Sequence, residues 1–414
     1  MKNIPGYFPS HWPAEDGGPR REQFSELHPD YLLGDHLRVT SRTVMVATMV
    51  VFKSESEMYL LCHTGGESAV SWVEQVDSLS LEMIRRSPDL PGGLTWPGGI
   101  AVHENGSLYV AFGRYVHRLS SDLEITGVCE LPRNRPYNSF VILPDGSLVT
   151  KDFGGSLPIR EGISADCEVC VVDPESMSIR ARLTVPEASI ARLSADGNSV
   201  YCVGISRFWR LEWDPALGLL VLDENFSPLY RTVSGEGYGW DAVISDGSAW
   251  FLNNGEASDK YQGSLRGVGV ASAPTAVIRV DLASGLVSRF EVSSLMGGVI
   301  ANPPAVDPIR GIVVGYDSGN GVLTAWNYRE NRLLWSRSLN HAAHPLVFRG
   351  SGYGVFSDYS TENGESLIVI DLESGSEMAR CSVGSPLQSV IFPSIGPQGE
   401  LYYVSFTTLT RVFS

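Results

Sequence analysis

The feature that most constrains this chain is a repeat. The stretch Asn134 to Phe153, NRPYNSFVILPDGSLVTKDF, reads as an apolar strand (139–143), a tight turn at Pro144-Asp145-Gly146 and a second strand (147–150), followed by the polar pair Lys151-Asp152. Asp bonds its own backbone and Gly accepts positive φ, so the triplet supplies a sharp reversal. The same grammar returns in GGIAVHENGSLYVAFG, SIARLSADGNSVYCVG, GWDAVISDGSAWFLNNG, NPPAVDPIRGIVVGYDSG, HPLVFRGSGYGVFSDYS and QSVIFPSIGPQGELYYVSF. With TVMVATMVVFKSESEMYLLCH there are eight copies.

A third strand of alternating polarity follows most copies, as in CEVCVVDPES and SLIVIDLESG, and then a fourth, as in IRARLTV and LVSRFEV. Four short strands per unit, at a spacing of roughly 40–60 residues, is the signature of a β-propeller. Helical periodicity is almost absent, and Leu79–Arg86 reads most simply as the outer strand of the first unit. The predicted fold class is all-β: a single propeller of eight four-stranded blades, with seven as the alternative if the first or last copy is misread. The eighth copy has only three strands. The segment HLRVTS at 36–41 is predicted to supply the fourth, sealing the ring and leaving no open edge. Residues 1–35, rich in Pro and charge and without a period, form an N-terminal arm or flap over one face, and residues 36–414 form the propeller. Removal of residues 1–30 is expected to leave folding intact.

A formal charge of −16 argues against nucleic acid or an anionic membrane as partner, since both need clustered Lys and Arg. No apolar run reaches the about 18 residues of a membrane span, and the first residues show no apolar signal region, so a cytoplasmic location is expected. Six cysteines in a chain this long are not a disulfide framework. Cys167 and Cys170 form a C-x-x-C inside a strand-like run, which sends them to opposite faces; buried thiols are expected there rather than a metal or redox pair. There is no G-x-S-x-G, H-E-x-x-H or Walker A motif.

In a propeller the start of each first strand and the end of each second strand converge on one mouth of the central channel. The turn glycines Gly106, Gly146, Gly197, Gly247, Gly311, Gly352 and Gly399 fix the count. Six positions after them stand Asp152, Asn253, Asp317 and Asp358, a repeated set expected to cap backbone N–H groups. Eight positions before them stand Gly98, Asn138, Ser189, Gly239, Pro303 and His344, which differ from blade to blade as a site grafted on a repeat should. Trp96, Tyr137, Arg192, Tyr238, Trp240, Asp241, Asn302 and His341 lie nearby, and Lys151 and Glu256 come from the second-strand side. Each has a plainer reading. The aromatics can pack between blades, Asp241 can pair with Arg192 or Lys151, and His341 and His344, three apart, diverge on a strand.

This pattern leads to an expected small-molecule enzyme with hydrolase, lyase or cyclase chemistry at the channel mouth. Asp241 and His344 or His341 are the acid and base. Asn138 with Lys151 or Arg192 faces a developing oxyanion. Trp96, Tyr238 and Trp240 hold an aromatic or apolar substrate, with Tyr137, Glu256 and Asn302 completing the binding wall. The 255–272 loop is the expected lid. The alternative is a non-catalytic scaffold that binds a protein or a ligand.

The run NSFVILPDG resembles the blades of calcium-dependent propellers: the gluconolactonase and senescence-marker family, the related phosphotriesterases and the strictosidine-synthase-like proteins. SIARLSADGNSVYCVG and GWDAVISDGSAWFLNNG look like their blades as well. VIDLESG is similar to phrases of the YVTN and quinoprotein-like propellers. The first resemblance implies a Ca²⁺ at the channel mouth, with Asn138 on the metal and Asp241 as a carboxylate ligand. The matching register otherwise gives Ser189 and Gly239, and Asp241 is shifted by two residues. Those families are also mostly six-bladed.

Overall fold

The computed structural model describes residues 3–27, 33, 37–44, 46–93, 97–153 and 166–414, with the Asn138 side chain left out. Eight sheets follow one another around a ring, each with four antiparallel strands that in seven blades run in chain order from the channel outward. Blade 3 shows how the sequence makes one. Tyr137–Ile142, Leu148–Asp152, Cys167–Val172 and Ile179–Val185 pair in that order. The second and third strands are buried along their whole length, and the third, CEVCVV, reads as a nearly continuous apolar run. The fourth alternates between exposed and half-buried residues because only one face meets the neighbouring blade. Cys167 and Cys170 are buried free thiols. Met83–Arg86 is the outer strand of blade 1, and Leu90–Gly93 pairs with the same third strand.

The eighth blade contains Ser394–Ile395, Leu401–Val404 and Thr408–Phe413. Its fourth strand is Arg38–Thr43, antiparallel to Thr408–Phe413, with Arg38 opposite Phe413 and Thr43 opposite Thr408. The ring is thus closed by a strand from near the N-terminus, and the count is eight blades.

The turn chemistry follows the sequence. All seven turn glycines have positive φ, from 59° at Gly197 to 97° at Gly399. At Gly146 a Cβ would also stand 3.0 Å from His103 Nε2, so the site excludes side chains on two grounds. The repeated polar residues at the ends of the second strands cap backbone donors. Asp152 accepts from the Glu168 N–H, Asn253 from Ala276, Asp317 from Asn320 and Val299, and Asp358 from Asn340.

The N-terminal arm is built into the channel. Carbonyls of Trp12, Pro13, Pro19, Arg20 and Gln23 accept hydrogen bonds from the N–H groups of Phe52, Val102, Ala195, Ile244 and Val347. Tyr7 Oη accepts from Ile142 N–H. These donors lie at the turn ends of the first strands, on blades 1, 2, 4, 5, 7 and 3. First strands have a free inner edge, and buried N–H groups there need acceptors. The arm supplies them, and Phe24–Ser25 adds a parallel strand to Leu346–Phe348 of blade 7. Among the described residues, helix is confined to two short 3₁₀ turns, Glu15–Gly17 in the arm and Ser258–Lys260. No described helix is long and apolar enough to cross a membrane.

Candidate ligand site at the channel mouth

The channel axis is filled by an ionic network shared between ring and arm. Arg21, 1% exposed, reaches Asp16 at 2.9 Å and Glu15 at 3.1 Å, and its Nε donates to Leu193 O. Ser139 Oγ donates to Glu15. The Arg192 backbone N–H donates to Asp241 Oδ1 at 2.6 Å and its Nη1 to Oδ2 at 3.2 Å, while its Nε stands 3.5 Å from Glu15. His344 Nδ1 lies 2.8 Å from Asp16 Oδ1. Burial alone would raise the Asp16 carboxyl, but His344 and Arg21 outweigh it and hold it below the usual range. Burial likewise opposes the Arg21 charge, and Glu15, Asp16 and Asp241 more than restore it.

Above this network, at the mouth formed by first-strand starts and second-strand ends, is a cavity of ≈ 250 Å³. Arg192, Trp240 and His63 bring polar groups to it. Pro97, Ala301, Val390 and Phe406 form apolar wall. The roof is the loop after the second strand of blade 5, through Ser258, Asp259, Tyr261 and Leu265. It is tied down across the ring on Gln388: Tyr261 Oη donates to Gln388 O at 2.5 Å, Leu265 N–H to Oε1 at 2.7 Å, and Gln388 N–H to Gly263 O at 2.9 Å. The expected lid segment therefore covers the cavity.

Four polar atoms of the cavity residues are buried without a hydrogen-bond partner: Trp240 Nε1, His63 Nε2, Ser258 Oγ and Arg192 Nε, the last standing 3.5 Å from the Glu15 carboxylate. His63 Nδ1 is 2.8 Å from the Thr64 carbonyl, which only accepts. Nδ1 therefore carries the proton. Burial depresses the His63 pKa against the help of that carbonyl, so the ring is neutral and Nε2 presents a lone pair.

The sequence-derived site residues scatter around this centre. Arg192 and Trp240 line the cavity; Asp241, Asn302 and His344 do not, and Asp241 and His344 join only through arm residues of the network. Asn302 Nδ2 donates to Ala342 O and Val390 O, bracing the wall. His341 is buried between Tyr316 and Phe356, accepts from the Ser357 N–H, and has its pKa pushed down to about 3, chiefly by burial. Lys151 Nζ donates to the carbonyls of Asp152 and Ser189. Tyr137 packs in the core between blades. Glu256 caps the Tyr238 N–H and lies 3.6 Å from Arg231. Trp96 and the Asn138 side chain fall outside the described residues. His63, Tyr261, Leu265 and Phe406 are cavity residues that sequence counting missed.

The donor set does not fit a Ca²⁺. Both Asp241 oxygens are engaged by Arg192, and Arg21 adds a second cation beside it. Ca²⁺ needs about six to eight oxygens, and among the described residues no group of three or more His, Cys, Asp or Glu is placed to hold a metal.

A second cavity, ≈ 440 Å³, lies on the turn face between the arm and blades 3 and 4. Its charged groups are already paired, Arg20 with Asp196, Arg21 with Asp16, and Glu22 with Arg349. The network thus runs along the axis between the two cavities.

Fold and site together define an eight-bladed β-propeller whose channel is blocked by its own N-terminal arm and whose opposite mouth holds a roofed cavity. No protein-family model matches the chain, and no curated protein matches it. Solved structures similar to it include BamB from Moraxella catarrhalis, at 13% identity and a TM-score of 0.59, covering 92% of this chain and 98% of that one. Quinohemoprotein alcohol dehydrogenase from Comamonas testosteroni is similar over 98% of this chain and 81% of its own, at 12% identity and a TM-score of 0.61. The computationally designed Ika8 protein matches 89% of this chain and 96% of its own, at 10% identity and a TM-score of 0.56. At such identities the likeness is one of fold.

Proposed function

We propose that this protein binds a small, largely apolar organic molecule in the roofed cavity of the channel mouth. The observation that carries the reading is the pairing of that cavity with buried, unpartnered polar atoms on its lining residues, Trp240 Nε1, His63 Nε2 and Ser258 Oγ among them. Buried polar groups are normally bonded, and a few convergent polar groups in an apolar cavity are how small-ligand sites are built. Binding without turnover is favoured over the acid/base enzyme. Asp241 is locked between Arg192 and the arm, and His344 is held by Asp16. Hydrolase or lyase chemistry through that pair needs the arm to withdraw first.

The test is a thermal-shift and calorimetric screen of small neutral aromatics on the full chain. Tyr261→Ala removes the roof's bond to Gln388 O and should weaken a bound ligand about tenfold, with little change in unliganded Tm. The reading fails if no such compound raises Tm, or if the ligand found is indifferent to Tyr261→Ala.

A further inference from the structure

The cavity's polar groups differ in kind, and that difference specifies the ligand's chemistry. Trp240 Nε1 is a donor only, whereas Ser258 Oγ, also buried without a partner, can donate or accept and so does not discriminate. His63 Nε2 is an acceptor, because Nδ1 is committed as donor to the Thr64 carbonyl. Arg192 contributes no free charge, since Asp241 and Glu15 engage it, and the Asp259 carboxylate at the roof disfavours a second anion. Around these the walls are apolar and partly aromatic, with the Tyr261 and Phe406 ring centroids 5.8 Å apart.

We infer that the ligand is a neutral, planar, single-ring aromatic molecule carrying one hydrogen-bond donor, taken by His63 Nε2, and one acceptor, met by Trp240 Nε1. The volume, ≈ 250 Å³, is below the roughly 300–1,000 Å³ of drug-sized sites and suits one ring with short substituents. A hydroxyl or N–H of the ligand donates to His63, and a carbonyl or hydroxyl oxygen accepts from Trp240. A ligand lacking either group leaves a buried polar atom unpaired, which is where such a site gains its selectivity.

This inference rests on the binding function proposed above, and its experiment separates the two. The probes are 4-hydroxyacetophenone, 4-methylacetophenone (donor removed, shape kept), 4-ethylphenol (carbonyl removed) and 4-hydroxybenzoate (charged), titrated calorimetrically into the full chain. The first is expected to bind most tightly and the other three about tenfold or more weaker. His63→Asn, whose amide can still donate to Thr64 O but has nothing at the Nε2 position, should erase the difference between the first two probes. His63→Gln, which restores a group at that position, should recover part of it. Equal binding of all four neutral and charged probes, or a preference that survives His63→Asn, overturns the assignment of donor and acceptor while leaving the cavity as a binding site. Absence of binding by every probe removes the binding function itself, and the inference with it.

Discussion

Asp16 Oδ1 of the arm lies 2.8 Å from His344 Nδ1 at the start of blade 7, and both side chains are 1% exposed. A residue near the beginning of the chain thus meets one near its end on the channel axis. The arm's acidic pair and Arg21 neutralise ring charges that would otherwise be buried alone. A buried ion network adds little over an apolar filling, but breaking it on one side is costly.

Arg21→Met is therefore expected to destabilise the protein by about 3–5 kcal/mol, since it strands Glu15 and Asp16 in the core. The triple variant Glu15→Gln/Asp16→Asn/Arg21→Met removes both signs together and should lose less than the single one. Urea unfolding of the two variants decides it. A single variant milder than the triple would show that the network is not coupled.

Deletion of residues 1–27 should give insoluble or molten protein. The sequence, with its aperiodic first 35 residues, suggested that removing residues 1–30 would be tolerated. The structure reverses that expectation: Arg192 and Asp241 would lose counter-charges, His344 would lose its Asp16 partner, and the N–H groups of Phe52, Val102, Ala195, Ile244 and Val347 would lose acceptors. A soluble deletion product with an unchanged Tm would refute the structural role of the arm.

Asp317→Ala should cost about 1–3 kcal/mol, because buried donors at Val299, Thr275 and Asn320 lose a common acceptor. Ligand affinity should be unchanged, as Asp317 is outside the mouth cavity. Chemical denaturation alongside calorimetry measures both.

Glu365 gives a pH signature. Burial pushes its pKa up to about 8, against the relief from the Ser389 N–H. The unfolded chain titrates near 4.5, so between about pH 4.5 and 8 the folded state holds a proton the unfolded state has released. Stability from this group is full below that window and falls as pH rises through it. Glu365→Gln should flatten the decline and exceed the native protein in stability at pH 8, by a few kcal/mol at most at about 1.4 per pKa unit. Parallel melting curves at pH 5 and pH 8 that shift equally in both proteins would contradict this.

Much of the ring was legible because a repeat states its period many times. Gly146 and its counterparts mark every turn but one, and counting from them placed Asp152, Asp317 and Asp358 as backbone caps. The exception explains what was missed. Blade 1 turns through Ser54-Glu55-Ser56-Glu57 without glycine, so the count had no anchor there, and His63, at the end of its second strand, escaped notice. Trp240, Arg192 and the 255–272 loop, though not its individual residues Tyr261 and Leu265, could be named because their blades carry the marker. The partners of Asp241 and His344 were only partly readable. Arg192 was a foreseen partner for Asp241, but Glu15, Asp16 and Arg21 sit in a segment with no period, and the pairing depends on where that segment threads in three dimensions.

The way the ring is locked dictates the order in which it forms. Arm carbonyls between residues 12 and 23 bond N–H groups from residue 52 to residue 347, and strand 38–43 bonds strand 408–413. Residues 12–43 therefore cannot finish their contacts until residues 408–413 have appeared. Contacts this far apart in the chain slow folding. On a ribosome, the early blades wait with open inner edges, and the last turn of the ring and the seating of the arm become a single late, cooperative event.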